Sequence, residues 1–306
     1  MWKRIGCCMK KALGVFCSDL HLSAKAPGSR KDDWFLAIER LFEKITVTGK
    51  RYRCPVFVAG DVFDKPKEEP VVVSQAIRWM KKLKWYGIPG QHDLIGHSIS
   101  RLEETSFWTL VESGCLEYIN EFLDLKDYLI VGYPWGREPA DIVKTNKHVI
   151  GLGHLLVWQT SPFIGASQTG NVSEVIKRYK NHDVLVFGDN HKGFKVKKDG
   201  VLILNCGTAC RRTLADVDYK PRCYVLFEDL SVKTVYLPFE FDEFVQKEEQ
   251  INGYSHEDSF KVFVKTLMDQ TEVSLSFRKM LTAYLNKNSV KKDVENIIWE
   301  IMESVV

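Results

Sequence analysis

Apolar and polar residues along this chain fall into blocks whose spacing switches between that of a strand and that of a helix. Residues 12–17 (ALGVFC) make a short, continuous apolar run, the pattern of an interior strand. Within 33–48, Trp34, Ile38, Leu41, Phe42 and Ile45 recur at helical spacing and predict an amphipathic helix behind that strand. A second apolar run inside 55–64 (PVFVAGDVFD), a helix over 71–84 and a short strand ending at 87–90 continue the series. Strand, helix, strand, helix, strand in this order predicts parallel pairing with the helices outside. After a helical stretch around 102–111, runs at 116–119, 128–131, 149–152, 184–187, 192–197, 201–205, 222–227 and 232–237 predict a strand-rich second half, with a hairpin turn at Lys198-Asp199-Gly200. This count fits an α/β fold of two facing mixed β-sheets flanked by helices.

After Pro238 the pattern changes. Residues 239–253 are acidic and irregular and read as a linker that closes a large first domain over 1–238. In 254–306, the sets Phe260, Phe263, Val264, Leu267, then 277–285, then Val290, Val294, Ile297, Ile301 predict three short helices. This small C-terminal helical segment carries apolar stripes that suit packing on the core or binding a partner.

With 306 residues, 45% hydrophobic and 27% charged, the chain is long enough for one large domain plus a small appendix. Its net charge of +3 is too slight to identify a nucleic-acid partner by itself. The eight cysteines include the adjacent Cys7 and Cys8 and no C-x-x-C pair, which predicts reduced thiols in a cytoplasmic protein and argues against a zinc ribbon. No run approaches the roughly 20 apolar residues of a membrane span. The run at 12–17 is too short for a secretory signal, and Met9 is as good a start as Met1.

Candidate chemistry gathers where the apolar runs end. Asp19-Leu20-His21, Gly60-Asp61, Gly90-Gln91-His92-Asp93, Gly153-His154 and Gly188-Asp189-Asn190-His191 each follow such a run. Open α/β sheets place ligands at the carboxyl ends of their strands. Singly, each residue has a plainer reading: a turn aspartate capping the next segment, or a histidine satisfied in the core. Their recurrence at five strand ends gives them weight as a set. Hydrolysing a phosphodiester at neutral pH calls for a ready nucleophile and charge compensation on the phosphoryl oxygens, which two divalent ions about 4 Å apart supply when a shared carboxylate holds them. Asp61, at the centre of the constellation, is the candidate for that carboxylate. Carboxylate, imidazole and amide donors favour Mn²⁺, with Mg²⁺ or Fe²⁺ as alternatives.

The five blocks resemble the D-x-H, G-D, G-N-H-D, H and G-H-x-H blocks of the calcineurin-like metallophosphoesterase superfamily, over residues 12–237. The resemblance implies one metal site from Asp19, His21, Asp61 and His191, and a second from Asp61, Gln91, His154 and Asp189. It implies that His92 is a general acid for the departing sugar oxygen, oriented by Asp93. Two positions depart from the pattern: Gln91 stands for Asn, and Asp189 for the first His of the last block. Both keep an oxygen donor.

Within the superfamily, GVFCSDLHL, GDVFDKP and DYKPRCYVLFEDLSVKTVYLPFE resemble the nuclease subunit of SbcCD-type DNA repair exonucleases, and GQHD and GDNHKGF resemble spellings found in large bacteriophages. The resemblance implies a Mn²⁺-dependent DNA exo/endonuclease of repair or recombination. It further implies an SMC-like ATPase partner gripped by the helices of 254–306, compatibility with a homodimer, and action in the cytoplasm, the host's if phage-encoded. Two alternatives stay open. One is a phosphodiesterase acting on small or cyclic nucleotides; the other is a catalytically impaired DNA-binding scaffold, suggested by Gln91 and Asp189.

Overall fold

A computed structural model of the chain describes residues 10–140, 142–143, 145–160, 168–245 and 299. Apart from Val245 and Trp299, these residues belong to one compact unit, Met1–Thr160 with Gln168–Phe244. The two candidate start residues and, Trp299 aside, the helices expected over 254–306 lie outside the described residues. No helix among the described residues is long and apolar enough to cross a membrane.

The chain runs β1 (Ala12–Cys17), α1 (Trp34–Tyr52), β2 (Val56–Ala59), α2 (Pro70–Met80), β3 (Trp85–Ile88), α3 (Ser106–Glu112), β4 (Leu116–Tyr118), β5 (Phe122–Asp124), β6 (Tyr128–Tyr133) and β7 (His148–His154). It continues through α4 (Val172–Arg178), β8 (Val184–Gly188), β9 (Phe194–Lys198), β10 (Val201–Asn205), β11 (Arg222–Phe227) and β12 (Val232–Tyr236). Two six-stranded sheets result, ordered β12-β11-β1-β2-β3-β4 and β5-β6-β7-β8-β10-β9. Parallel pairing links β1 to β4 in the first sheet and β6, β7, β8 and β10 in the second, with antiparallel strands at the edges. This is the expected architecture of two facing mixed sheets flanked by helices.

Both faces of the central strands are buried, which is why they read as unbroken apolar runs. In β2, Phe57 and Ala59 face the second sheet while Val56 and Val58 face the helices. In β8, Val184 and Val186 face the first sheet, and Leu185 and Phe187 meet α4 and Tyr179. Phe16 and Phe57 stack at 4.9 Å between the sheets. On the outside of the first sheet, Ile38, Leu41, Phe42 and Ile45 of α1 pack with Trp79, Met80 and Trp85. Helix α1 starts where the Asp33 carboxylate accepts the Leu36 amide and stops at Arg53, whose φ of 51° ends the helical path. The six described cysteines are buried free thiols, as the sequence predicted.

Part of the expected linker is fastened to this unit. Arg30 pairs with Asp242 at 2.7 Å and Arg211 pairs with the same carboxylate at 2.8 Å, both guanidiniums being buried. Arg30 also bonds Asp32, and Phe244 bridges to the Arg30 backbone. Residues 239–244 are therefore held by charge pairs that their acidic, irregular sequence does not reveal.

Candidate metal centre

The five predicted blocks converge at the carboxyl ends of β1, β2, β3, β7 and β8. Their loops continue the strand pairing beyond the sheets: the Asp19 amide donates to the Gly60 carbonyl at 3.1 Å, His21 to Asp61 at 3.0 Å, and Ala209 to Asp19 at 3.1 Å. These bonds accompany left-handed backbone conformations at Asp19, His21 and Asp61, with φ of 51°, 46° and 52°, and Asp189 is also left-handed at 79°. Such conformations cost a non-glycine residue about 1–3 kcal/mol each and concentrate at functional sites. Close packing also dictates two glycines. A Cβ on Gly60 would lie 2.2 Å from His154 Nδ1, and one on Gly90 2.1 Å from Asp61 Oδ1.

Donor atoms of Asp19, His21 and His191 lie within 4.8 Å of one another, as do those of Asp19, Asp61 and His154, and those of His21, Asp61 and His92. The His21 and His191 Nε2 atoms are 3.2 Å apart. His154 donates from Nδ1 to the Ala59 carbonyl at 2.6 Å, which turns Nε2 toward Asp61 Oδ2 at 3.3 Å. Gln91 Nε2 donates to Asp189 Oδ1 at 2.7 Å, and the Asp189 amide donates to both Asp19 oxygens at 3.1 and 3.2 Å. Most of the centre is buried, while His92 and Asp189 are partly exposed and the His191 side chain is 39% exposed.

Four facts test whether these residues suit metal ions. Asp61 Oδ2, His154 Nε2 and Gln91 Oε1 are buried without a hydrogen-bond partner in the protein, a costly state for a polar atom with nothing to bind. Although Asp61 Oδ2 and His154 Nε2 are close, they form an ion pair without hydrogen-bond geometry. The His21 and His191 Nε2 atoms, 3.2 Å apart, are aimed at each other, so a cation could replace the single proton that they share as a hydrogen bond. The donor set is oxygen-rich with imidazoles and no thiolate, which suits hard or borderline divalent cations. The residues fit such ions.

Electrostatics agree. Burial alone would raise the Asp61 carboxyl, but the imidazoles of His154, His21 and His92 hold it well below the usual carboxylate range. Burial would lower His154, and the charge of Asp61 outweighs that, raising it well above an ordinary histidine. Burial, with Arg212 adding to it, pushes His21 down to about 3, so its ring is neutral and can offer a lone pair.

One expectation is corrected. Asp93 does not serve to orient His92: its carboxylate is committed to the main-chain amides of Val62, Phe63 and Gly90 at 3.1, 2.9 and 3.0 Å. The His92 ring is steered instead by the main-chain carbonyl of Asp64, 3.0 Å from Nδ1. Two residues without an assigned role enter here. The Asp64 carboxylate lies 3.4 Å from His21 Nδ1 and forms an ion pair with Arg212. Asp64 stands three positions after Asp61, a spacing that could have drawn notice; Arg212, in a loop after β10, carries no comparable signal.

A fold of two facing sheets, with carboxylates, imidazoles and an amide gathered where their carboxyl ends meet, is that of a metallophosphoesterase. Residues 15–193, more than half the chain, match the calcineurin-like phosphoesterase family, and the chain belongs to it. A stretch of 93 residues is 40% identical to the DNA double-strand break repair protein Mre11 of Aeropyrum pernix, covering 28% of this chain and 21% of that protein. The match thus spans about a fifth of that relative. Among solved structures, a novel archaeal phosphodiesterase is similar at 15% identity and a TM-score of 0.40, over 73% of this chain and 99% of that one. A dimetal phosphatase from Danio rerio is similar at 12% identity and a TM-score of 0.48, over 78% and 99%.

Proposed function

We propose that this chain is a metal-dependent DNA exo/endonuclease that works with an SMC-like ATPase in repair or recombination, in the cytoplasm. The grouping of Asp19, His21, Asp61, His154 and His191 within ligand distance, with unpartnered atoms on Asp61, His154 and Gln91, carries the hydrolytic part of the reading. The likeness of one stretch to a DNA double-strand break repair protein supports DNA as substrate. DNA would be held through phosphate contacts and shape.

In this reading Asp19, His21, Asp61 and His191 hold one divalent cation and Asp61, Gln91, His154 and Asp189 the other, Mn²⁺ being the favoured ion. The bound pair would supply a hydroxide nucleophile at neutral pH and compensate charge on the phosphoryl oxygens. His92 then acts on the leaving group. With Nδ1–H donated to the Asp64 carbonyl, the imidazolium gives its Nε2 proton to the departing sugar oxygen as the phosphorus–oxygen bond breaks, ending as the neutral Nδ1–H tautomer. Asp93 supports this from the backbone by fixing the turn that carries Gln91 and His92.

The test is purified full-length protein with Mn²⁺ on linear duplex and single-stranded DNA, with and without its ATPase. Release of nucleotides or nicks, lost in Asp61→Asn, is expected. Hydrolysis of small or cyclic phosphodiesters with DNA left intact would assign the alternative substrate, and intact substrates throughout would overturn the enzyme reading.

A further inference from the structure

Trp135 stands at the catalytic edge of the second sheet. Strand β6 runs parallel to β7 and β8, so its carboxyl end points the same way as theirs, and the turn that follows it, Pro134-Trp135-Gly136-Arg137, lies beside His154. The Arg137 amide closes this turn on the Pro134 carbonyl at 3.0 Å, and Gly136 takes the positive φ, 79°, that the third residue of a type II turn requires. Two anchors fix the turn. The Trp135 amide donates to the Pro89 carbonyl at 3.2 Å, directly before the Gly90-Gln91-His92-Asp93 loop, and the Arg137 guanidinium donates to the Asn120 carbonyl. The indole ring lies 6.4 Å from that of His154, inclined by 64°, packed against the apolar cluster of the first sheet yet only half-buried.

Screening His154 from water does not call for this residue, since a branched aliphatic side chain would cover the imidazole as well. A large ring left partly in water, next to the donor atoms of His154 and Asp61, presents a flat aromatic face to whatever enters the centre. The aromatic groups that a nucleic-acid strand brings are its bases. Every base has a π-face, so stacking holds a strand without reading its sequence. We propose that Trp135 is a nucleobase platform that stacks the base next to the scissile phosphate and so favours nucleic-acid strands over phosphodiesters that carry no base. The inference rests on the nuclease reading above and adds a specificity-determining residue to it. Because the turn is anchored before the strand arrives, stacking orients the neighbouring phosphate at the cost of little new order in the protein.

The experiment follows full-length protein across a Mn²⁺ titration on a single-stranded oligonucleotide, read bond by bond, either intact or with one abasic nucleotide moved along the strand. In wild type the abasic nucleotide is expected to depress kcat/KM at one adjoining bond, always on the same side, by about 5–150-fold, and to leave distant bonds alone. Trp135→Ala should lose a similar factor on the intact strand, mostly in KM, and should discriminate no further against the abasic one. Trp135→Phe should recover most of the loss; Trp135→Leu, which keeps bulk without a ring face, should not. A leucine variant as active as the phenylalanine one, or an alanine loss cured by more Mn²⁺, would reduce Trp135 to packing beside His154 and overturn the proposal. Wild-type protein that cuts every bond of the abasic strands equally would overturn it even if a variant misfolds. A chain inert on every strand would overturn the nuclease reading and this inference with it; one that cuts strands without regard to their bases overturns this inference alone.

Discussion

The main-chain carbonyl of Asp64 sits 3.0 Å from His92 Nδ1, while the side chain of the same residue pairs with Arg212 and lies 3.4 Å from His21 Nδ1. One residue thus meets two histidines, His92 through its backbone and His21 through a carboxylate contact without hydrogen-bond geometry. Burial would raise the Asp64 carboxyl; His21 and Arg212 outweigh it and keep it ionised.

Removing the guanidinium should therefore disturb both rings. We expect Arg212→Met to lower kcat on a phosphodiester substrate by about 10–100-fold, as for partners that orient metal-binding histidines, with a smaller change in KM. The half-buried carboxylate left behind should cost about 1 kcal/mol of stability. Steady-state kinetics and thermal melting of the same preparation check both; unchanged kcat would remove Arg212 from the site's support.

Ion binding should release protons. Asp61 keeps His154 protonated well above the ordinary histidine range while no cation is bound, and a cation on Nε2 must displace that proton. At pH 7 we expect about one proton released per chain from this residue, read as a buffer-dependent enthalpy in calorimetry with Mn²⁺. Affinity should rise with pH in the same window. Equal enthalpies in phosphate and Tris would contradict this.

His182 lies far from the centre in sequence role and makes its own pH dependence. It is buried, and its nitrogens are within hydrogen-bond distance of the Lys180 carbonyl at 2.9 Å and Tyr133 Oη at 3.2 Å. Burial lowers its pKa in the fold, so below the unfolded value of about 6.5 the unfolded chain binds the extra proton first. Stability from this group is complete above pH 6.5 and declines as pH falls toward the lower folded value, by at most about 1.4 kcal/mol per pH unit. Melting temperatures from pH 7.5 to 5.5 should fall less steeply in His182→Gln than in wild type.

Asp242 pairs with two buried guanidiniums, Arg30 and Arg211, the first of which Asp32 also holds. Asp242→Ala should cost about 3 kcal/mol and lower the melting temperature by about 6–12 °C. Limited proteolysis should then cut near 239–244 sooner than in wild type; an unchanged digestion pattern would show that the anchor lies elsewhere.

Much of this was legible in the sequence because both faces of the central strands are buried. An unbroken apolar run ending in glycine and a polar residue marks strand and site together, as in 56–61. Elements with little burial left weaker marks. Strand β5 is three partly exposed residues at a sheet edge, and α4 has seven residues, of which Val172 and Val175 are buried. Helix α1 runs four residues past the expected end because Gly49 fits against Leu83, where a lone glycine reads as a stop. The role expected of Asp93 followed from its place beside His92, yet the turn sends its carboxylate back to three amides. The contact on His92 Nδ1 is a main-chain oxygen, which every residue type possesses and no sequence pattern can mark.

The left-handed residues Asp19, His21 and Asp61 are tied by main-chain bonds between neighbouring loops, and the Asp189 amide is tied to the Asp19 carboxylate. Preorganisation of this kind moves the work of assembling the cradle into the folding reaction, so capture of cations proceeds with little rearrangement of the polypeptide. Structures with the cradle empty and filled should superimpose along these loops, and ion uptake should be limited by dehydration of the cation rather than by motion of the protein.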